Sequence, residues 1–359
     1  MLKLKTLQQK FDLMVSHVSL THNTKRAEKR YLKLQKACNL PTYHITRHQK
    51  KEATALWNGL IKKRGFSTYQ LVSTARGEFD PRICCKQVFN DHLLFALNDQ
   101  KAVHGLRDKN YFDLFMAGAP MPKTIARNMH GNLMDANYEP INSEKLNELL
   151  SDYDKVLVKP SIDSGYGNAI KIYEKKFFDQ ILKDFEKDFL IQEVLVQHST
   201  LASLNSSSVN IIRVISLNLN GKVTPINHYL RCGAEGSIVD NHITKDGRGM
   251  YIIAVNKDGT LSDKAYYACG ESINQAPNGT DFSQLKLPNF DKVLELTTRI
   301  HRRFPQFGFV GYDITIDQQG MPVIIELNFK LPEGIYNQYT IGPLFGDRTQ
   351  EVIDTLCHK

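Results

Sequence analysis

Apolar residues recur at helical spacing from Leu4 to about Gly65 (Leu4, Leu7, Phe11, Met14, Val18; Tyr31, Leu34; Ala55, Leu56, Leu60). This predicts two or three amphipathic helices, broken near Asn39-Leu40-Pro41 and at Gly65. Asp80-Pro81 marks a boundary, VFNDHLLFALND predicts a further helix, and LRDKNYFDLFMAGAP another, stopped by Gly118 and Pro120. From Lys123 the pattern changes to short runs rich in β-branched residues: KTIA, KVLVKP, AIKIY, FLIQEVLVQ, VNIIRVISLNL and KVTPINHYLRCG. A helix returns from Phe290 to about Arg303, before Pro305, and two more strand-like runs follow in GYDITIDQQGMPVIIELN. Helices first, then strands mixed with helices, predict an α+β fold in two lobes. No internal repeat or low-complexity tract interrupts it.

The last pair of runs, Gly311 to Asn328, sets Asp313, Glu326 and Asn328 among core-type residues. A two-residue turn at Gln319-Gly320 places Pro322 in a non-hydrogen-bonded pair and Asp313 directly opposite Glu326. Asn328, two residues on, shares their face. Three oxygen-bearing side chains converging in this way suit a hard cation such as Mg²⁺; the competing reading is an exposed face on which the acids spread apart.

Composition narrows the picture. The 42% hydrophobic content supplies a core for two or three domains or subdomains, and no apolar run is long enough to span a membrane. The start lacks a signal-peptide core, so export is not expected. The six cysteines form no CxxC pair and show no regular spacing, which predicts reduced thiols rather than a zinc site or disulfide framework. Charge is uneven: residues 1–66 hold fifteen Lys or Arg and three acids, so the other 293 residues are net −4 within an overall +8. Such a leader either meets an anionic partner (a membrane surface, an anionic glycan or a nucleic acid) or is a solvated helical face. Aromatics are not interleaved with its cations, which disfavours nucleic acid.

Three further segments carry charge into apolar strands. VLVKPSIDSGYGNAIKIY takes Lys159 out of a strand into a loop of small residues, suited equally to an ordinary hairpin or to backbone contact with phosphate. FLIQEVLVQHS runs an apolar strand into Glu193 and His198, placed to link two lobes. VNIIRVISL centres Arg213 in a buried-type run, where a carboxylate or a phosphate would be its partner.

Taken in order, LNDQKAVHGLRDKNYF, VKP, QEVLVQH, SVNIIRVISL, LRCGAEGSIVDN and GYDITIDQQGMPVIIELN resemble the ATP-grasp superfamily, and within it the sugar-transfer-associated ATP-grasp family. The resemblance covers about residues 75 to 350. It implies a basic helical region (1–75), a helical linker and first lobe with the Gly-rich loop (76–196), and a second lobe with the metal site (197–359). It implies ATP and Mg²⁺ as cofactors. Lys109, Lys159 and the loop of Ser164, Gly165 and Gly167 would hold the phosphates. Glu193, Val194, His198 and Asn210 would hold the rest of the nucleotide. Arg213 would face the γ-phosphate, Arg231, near Asp240-Asn241, a substrate carboxylate, and Asp313, Glu326 and Asn328 the metal. After Asp240-Asn241 the chain reads HITKDGRGMY where the family pattern has a tighter glycine pair.

The expected activity is a ligase forming an amide between a carboxylate and an amine through an acylphosphate, in cell-surface polysaccharide synthesis. Its partners would be carboxylate- and amine-bearing small molecules or sugars. The expected location is cytoplasmic, with peripheral contact at the inner face of the membrane. A phosphotransferase acting on a sugar or lipid hydroxyl, and a non-catalytic ATP-binding scaffold, are the alternatives.

Overall fold

The computed structural model describes residues 25–162, 169–330, 332 and 336–357. Residues 25–37 are helical (α1), followed by α2 (Arg47–Leu56) and α3 (Phe66–Arg76). Thr46 starts α2 with a reciprocal capping box to Gln49, and Gly77, at φ +79°, ends α3. The sequence pattern missed α3, because its buried positions include Thr68 and Ser73, which dilute the apolar stripe. The segment 86–97 is helical with one π turn (Phe89–Leu93). The single helix expected from LRDKNYFDLFMAGAP is two short turns, Lys109–Tyr111 and Phe112–Phe115.

The first lobe is a five-stranded antiparallel sheet. Its strands are β1 (Thr124–Met129), β2 (Asn132–Asp135), β3 (Lys155–Pro160), β4 (Lys171–Glu174) and β5 (Phe189–Glu193), in the order β2-β1-β5-β3-β4. Helix α4 (Ser143–Leu150), capped by Asn142, packs Leu146 and Leu150 beneath it against Val156, Val158 and Ile191. The strand expected through Gln197 stops at Glu193, and the chain then leaves the sheet for the second lobe.

That lobe is a seven-stranded antiparallel sheet ordered β10-β9-β8-β7-β6-β11-β12. Its strands are β6 (Ile211–Leu219), β7 (Lys222–Cys232), β8 (Tyr251–Val255), β9 (Leu261–Tyr267), β10 (Ser272–Ile273), β11 (Phe309–Ile316) and β12 (Pro322–Asn328). Alternation divides its faces. Ile212, Val214, Val310, Tyr312 and Ile314 point to one side, under α5 (Phe290–His301). Ile215, Leu217 and Phe309 point to the other, sharing a core with Tyr31, Leu34, Trp57, Tyr69 and Leu94 of the helices between residues 25 and 97 and with α6 (Thr349–Cys357) through Val352 and Ile353. The odd-numbered β6 and β11 side chains therefore meet the helical layer at one end and emerge from beneath it at the other. No helix among the described residues is long and apolar enough to cross a membrane.

The β11–β12 hairpin corrects the expected register. Its loop has three residues: Asp317 N–H donates to Met321 O (2.9 Å), and Gly320 takes the left-handed position at φ +77°. Ile316 consequently pairs with Pro322 and Ile314 with Ile324, one residue away from the two-residue-turn register. A bulge between Asp313 and Ile314 absorbs the difference, and beyond it Asp313 faces Glu326 and Gly311 faces Asn328.

Candidate active site

The end of the seven-stranded sheet that the helical layer leaves open carries a charged cluster. Sheet pairing sets Asp313 between Arg213 on β6 and Glu326 on β12. Arg213 grips the Asp313 carboxylate with two donors, Nε to Oδ1 at 2.6 Å and Nη2 to Oδ2 at 3.1 Å, and donates from Nη1 to Pro332 O at 2.9 Å. Gly311 lets that crossing chain approach, since a Cβ there would lie 2.6 Å from Pro332 O. Arg231 on β7 bonds Asp240 through Nε and lies 3.5 Å from Asp313 Oδ2 through Nη2. Burial alone would push Asp313 up, but Arg213 and Arg231 outweigh it and hold the carboxyl below the usual range. Burial, opposed by Arg231 and reinforced by Asp313, lifts Asp240 above that range.

The first lobe adds two cations. Lys109 Nζ lies 3.1 Å from Glu326 Oε1, and its backbone N–H donates to Ser161 O (3.0 Å), just beyond β3. Lys159, on β3, is 8% exposed. Burial and the neighbouring Lys109 charge, against a weaker pull from Glu326, bring its pKa down to about 8. Four cations (Lys109, Lys159, Arg213, Arg231) thus meet three carboxylates (Asp240, Asp313, Glu326), leaving a positive surplus where a polyanion would be neutralised.

The donors for a hard cation fit. Asp313 and Glu326 are directly opposed, and the Asn328 amide lies 3.4 Å from Asp313 Oδ2. Arg213 takes one lone pair from each Asp313 oxygen and leaves others for a metal. Half-turning the Asn328 amide presents its oxygen instead of its nitrogen. Among the described residues one His/Cys/Asp/Glu trio has all its ligand atoms within 4.8 Å: Cys38, Cys269 and Glu271, away from this cluster. There Cys269 is buried and Glu271 is taken by Arg248 at 2.7 Å.

The remaining predicted residues fall elsewhere. Glu193 accepts the Lys123 N–H at 2.9 Å, at the point where β5 ends. Val194 begins the crossing between lobes, and His198, half-exposed at its far side, accepts the Thr200 N–H through Nδ1 and donates its own N–H to Ile316 O. Asn210 is buried just before β6. Its amide donates to Leu201 O (2.7 Å) and Asn205 O (2.8 Å), so it braces the loop entering β6. Ser164, Gly165 and Gly167 lie outside the described residues.

One group was missed. Arg127, fully buried on β1, bonds Asp113 (Nη2 to Oδ2, 2.6 Å) and Asn110 O, while the Tyr138 ring lies 3.9 Å from its guanidinium carbon. The Tyr138 hydroxyl also bonds Asn110 O and Asp113. This clamp fixes the turn that presents Lys109. The rule that marked Arg213, an arginine inside a strand needs a partner, applies equally to Arg127 in TIARNM.

Comparison with solved structures returns the biotin carboxylase domain of Hydrogenobacter thermophilus 2-oxoglutarate carboxylase, in complex with MgADP (14% identity, TM-score 0.44, 74% of this chain and 48% of that one). It also returns the ATP-grasp ligase PsnB complexed with a minimal precursor (15%, 0.43, 72% and 64%) and the L-amino acid ligase of Bacillus licheniformis (14%, 0.40, 70% and 48%). The chain spans about half to two thirds of the length of these structures. No curated protein sequence matches it. The assignment rests on the family model described as sugar-transfer associated ATP-grasp, which matches residues 88–352, most of the chain and every charged residue of the cluster. The chain belongs to the sugar-transfer associated ATP-grasp family.

Proposed function

We propose that this protein is an ATP- and Mg²⁺-dependent ligase that activates a carboxylate as an acylphosphate and joins it to an amine, in the synthesis of a cell-surface polysaccharide. The observation that carries the reading is the convergence of Lys109, Lys159, Arg213 and Arg231 on Asp313 and Glu326. It is a site built to neutralise phosphate, and its described residues include no Ser–His or Cys–His pair. In the first step a substrate carboxylate oxygen attacks the γ-phosphorus of ATP, the bond to the β–γ bridging oxygen breaks, and ADP leaves. In the second, an amine nitrogen attacks the acyl carbon, phosphate leaves, and the nitrogen loses a proton.

Lys109 and Lys159 hold and neutralise the phosphates, and Arg213 stabilises charge on the phosphoryl group in transit. Arg231 orients the carboxylate in place of Asp240, by the same fork geometry. Asp313, Glu326 and Asn328 are the residues that would hold Mg²⁺, which supplies further charge neutralisation when bound. The demands on the protein are positioning and electrostatics.

The test is to incubate the protein with Mg·ATP, candidate uronic acids or amino acids, and hydroxylamine. Carboxylate-dependent hydroxamate with matching ADP supports the ligase. ADP that depends on a hydroxyl acceptor, with no hydroxamate, identifies a phosphotransferase, and ADP at background identifies a binder.

A further inference from the structure

Helix α1 shows solvent a face of one sign. Of its seven exposed positions between residues 25 and 37, six are Lys25, Arg26, Lys29, Arg30, Lys33 and Lys36, and the seventh is Ala37. At 100° per residue the six fall within an arc of about 140°, and they run along about 17 Å of helix. The opposite face is buried: Glu28 accepts the Thr68 hydroxyl at 3.0 Å, Tyr31 packs against Tyr336, and the Gln35 amide donates to Leu71 O. Beyond α1, Arg47, Lys50, Lys51, Lys62 and Lys63 are also exposed, and Glu52 is the exposed acid among them. None of these eleven cations forms an ion pair with a described residue. Elsewhere on this surface cations do find acids, as in the Lys145–Glu148, Lys171–Asp184 and Arg348–Glu351 pairs.

We propose that this helical face docks the protein on an anionic phospholipid bilayer. Eight of the eleven residues are Lys, a hydrated point charge on a flexible stem, which suits a fluid array of headgroups better than the fixed fork geometry for which Arg is used. Between residues 25 and 66 no Phe, Tyr or Trp side chain is exposed for stacking on bases. The face presents no exposed large apolar side chain for insertion, so the attraction is electrostatic and salt-sensitive. The buried side of α1 packs Tyr31 against Tyr336 (ring centroids 5.7 Å), so the docked face is joined directly to the second lobe.

The test measures partitioning of the full-length protein onto vesicles of phosphatidylcholine with 30% phosphatidylglycerol, at low and high salt. Each cation near such a surface contributes about fivefold to binding. Replacing Lys29, Lys33 and Lys36 together by Gln is therefore expected to weaken partitioning by about 100-fold while leaving ATP binding unchanged. Gln keeps helix propensity, so the fold is retained. Replacing the exposed Lys257, Lys264 and Lys286 by Gln removes the same charge elsewhere and is expected to change partitioning less than threefold. Equal losses in the two triple variants would show an effect of net charge and overturn the proposal. So would undiminished partitioning of the α1 variant, or no preference for anionic over pure phosphatidylcholine vesicles. Binding to a soluble polyanion such as heparin or single-stranded DNA, without binding to vesicles, would overturn it in favour of that partner.

Discussion

Replacing Lys159 by Met should make the protein more stable and bind ATP more weakly. Lys159 is buried beside a like charge, and its pKa falls from 10.5 to about 8. At 1.36 kcal/mol per pH unit, holding the ammonium there costs about 3 kcal/mol at neutral pH. Met keeps the length and apolar stem of the side chain and removes the charge, so chemical denaturation should show a gain of up to about 3 kcal/mol. The wild-type cost is complete below about pH 8 and is relieved as pH rises toward 10.5. The two proteins should therefore converge in stability over that window. Binding moves the other way. A charged contact to phosphate is worth about 1.5–3 kcal/mol, so calorimetry should show ATP affinity reduced by about 10- to 100-fold. Wild-type affinity should also fall with pH above about 8, as the free enzyme loses this proton, whereas the Met variant should be flat there. Unchanged ATP affinity, or a less stable variant, would refute the reasoning.

Other residues give sharp expectations. Glu326→Gln removes the proposed metal ligand and the partner of Lys109, and should lower ADP release at saturating ATP by at least 100-fold. Restored turnover at raised Mg²⁺ would place the loss in metal affinity. Arg213→Met leaves Asp313 buried with Arg231 as its remaining cation at 3.5 Å and should cost about 3–5 kcal/mol in denaturant unfolding. Replacing Arg213 and Asp313 together by Met and Leu should recover most of that stability without recovering activity. Arg127→Met should raise KM for ATP about tenfold through misplacement of Lys109 and change kcat little, with Arg127→Lys intermediate; a fall in kcat alone would remove Arg127 from that positioning role.

The sequence reading reached the acids of the hairpin because strand pairing is a local rule. Wherever Asp313 and Glu326 are neighbours on one face, their repulsion demands a cation. It misplaced the turn because a three-residue loop and a compensating bulge cancel beyond Ile314, leaving the distal register unchanged. It could not show that Arg213 and Arg231 already press on Asp313, since those contacts join residues 100 and 82 positions apart in sequence, respectively. Lys109 and Lys159 were found through the order of motifs. What orders them in space, the Arg127 clamp and the bond from Lys109 N–H to Ser161 O, depends on the first sheet being folded. Asn210 has a local task that the sequence pattern does not reveal: its amide nitrogen serves the backbone of the loop entering β6.

The central claim, that a carboxylate is phosphorylated between these lobes, is tested most directly by hydroxylamine trapping with γ-labelled ATP. The account predicts a hydroxamate that requires ATP, Mg²⁺ and one class of carboxylate, in equal amount to ADP and phosphate, and that is lost in Glu326→Gln. ADP formed with no hydroxamate from any carboxylate, or label retained on a hydroxyl acceptor, would contradict it.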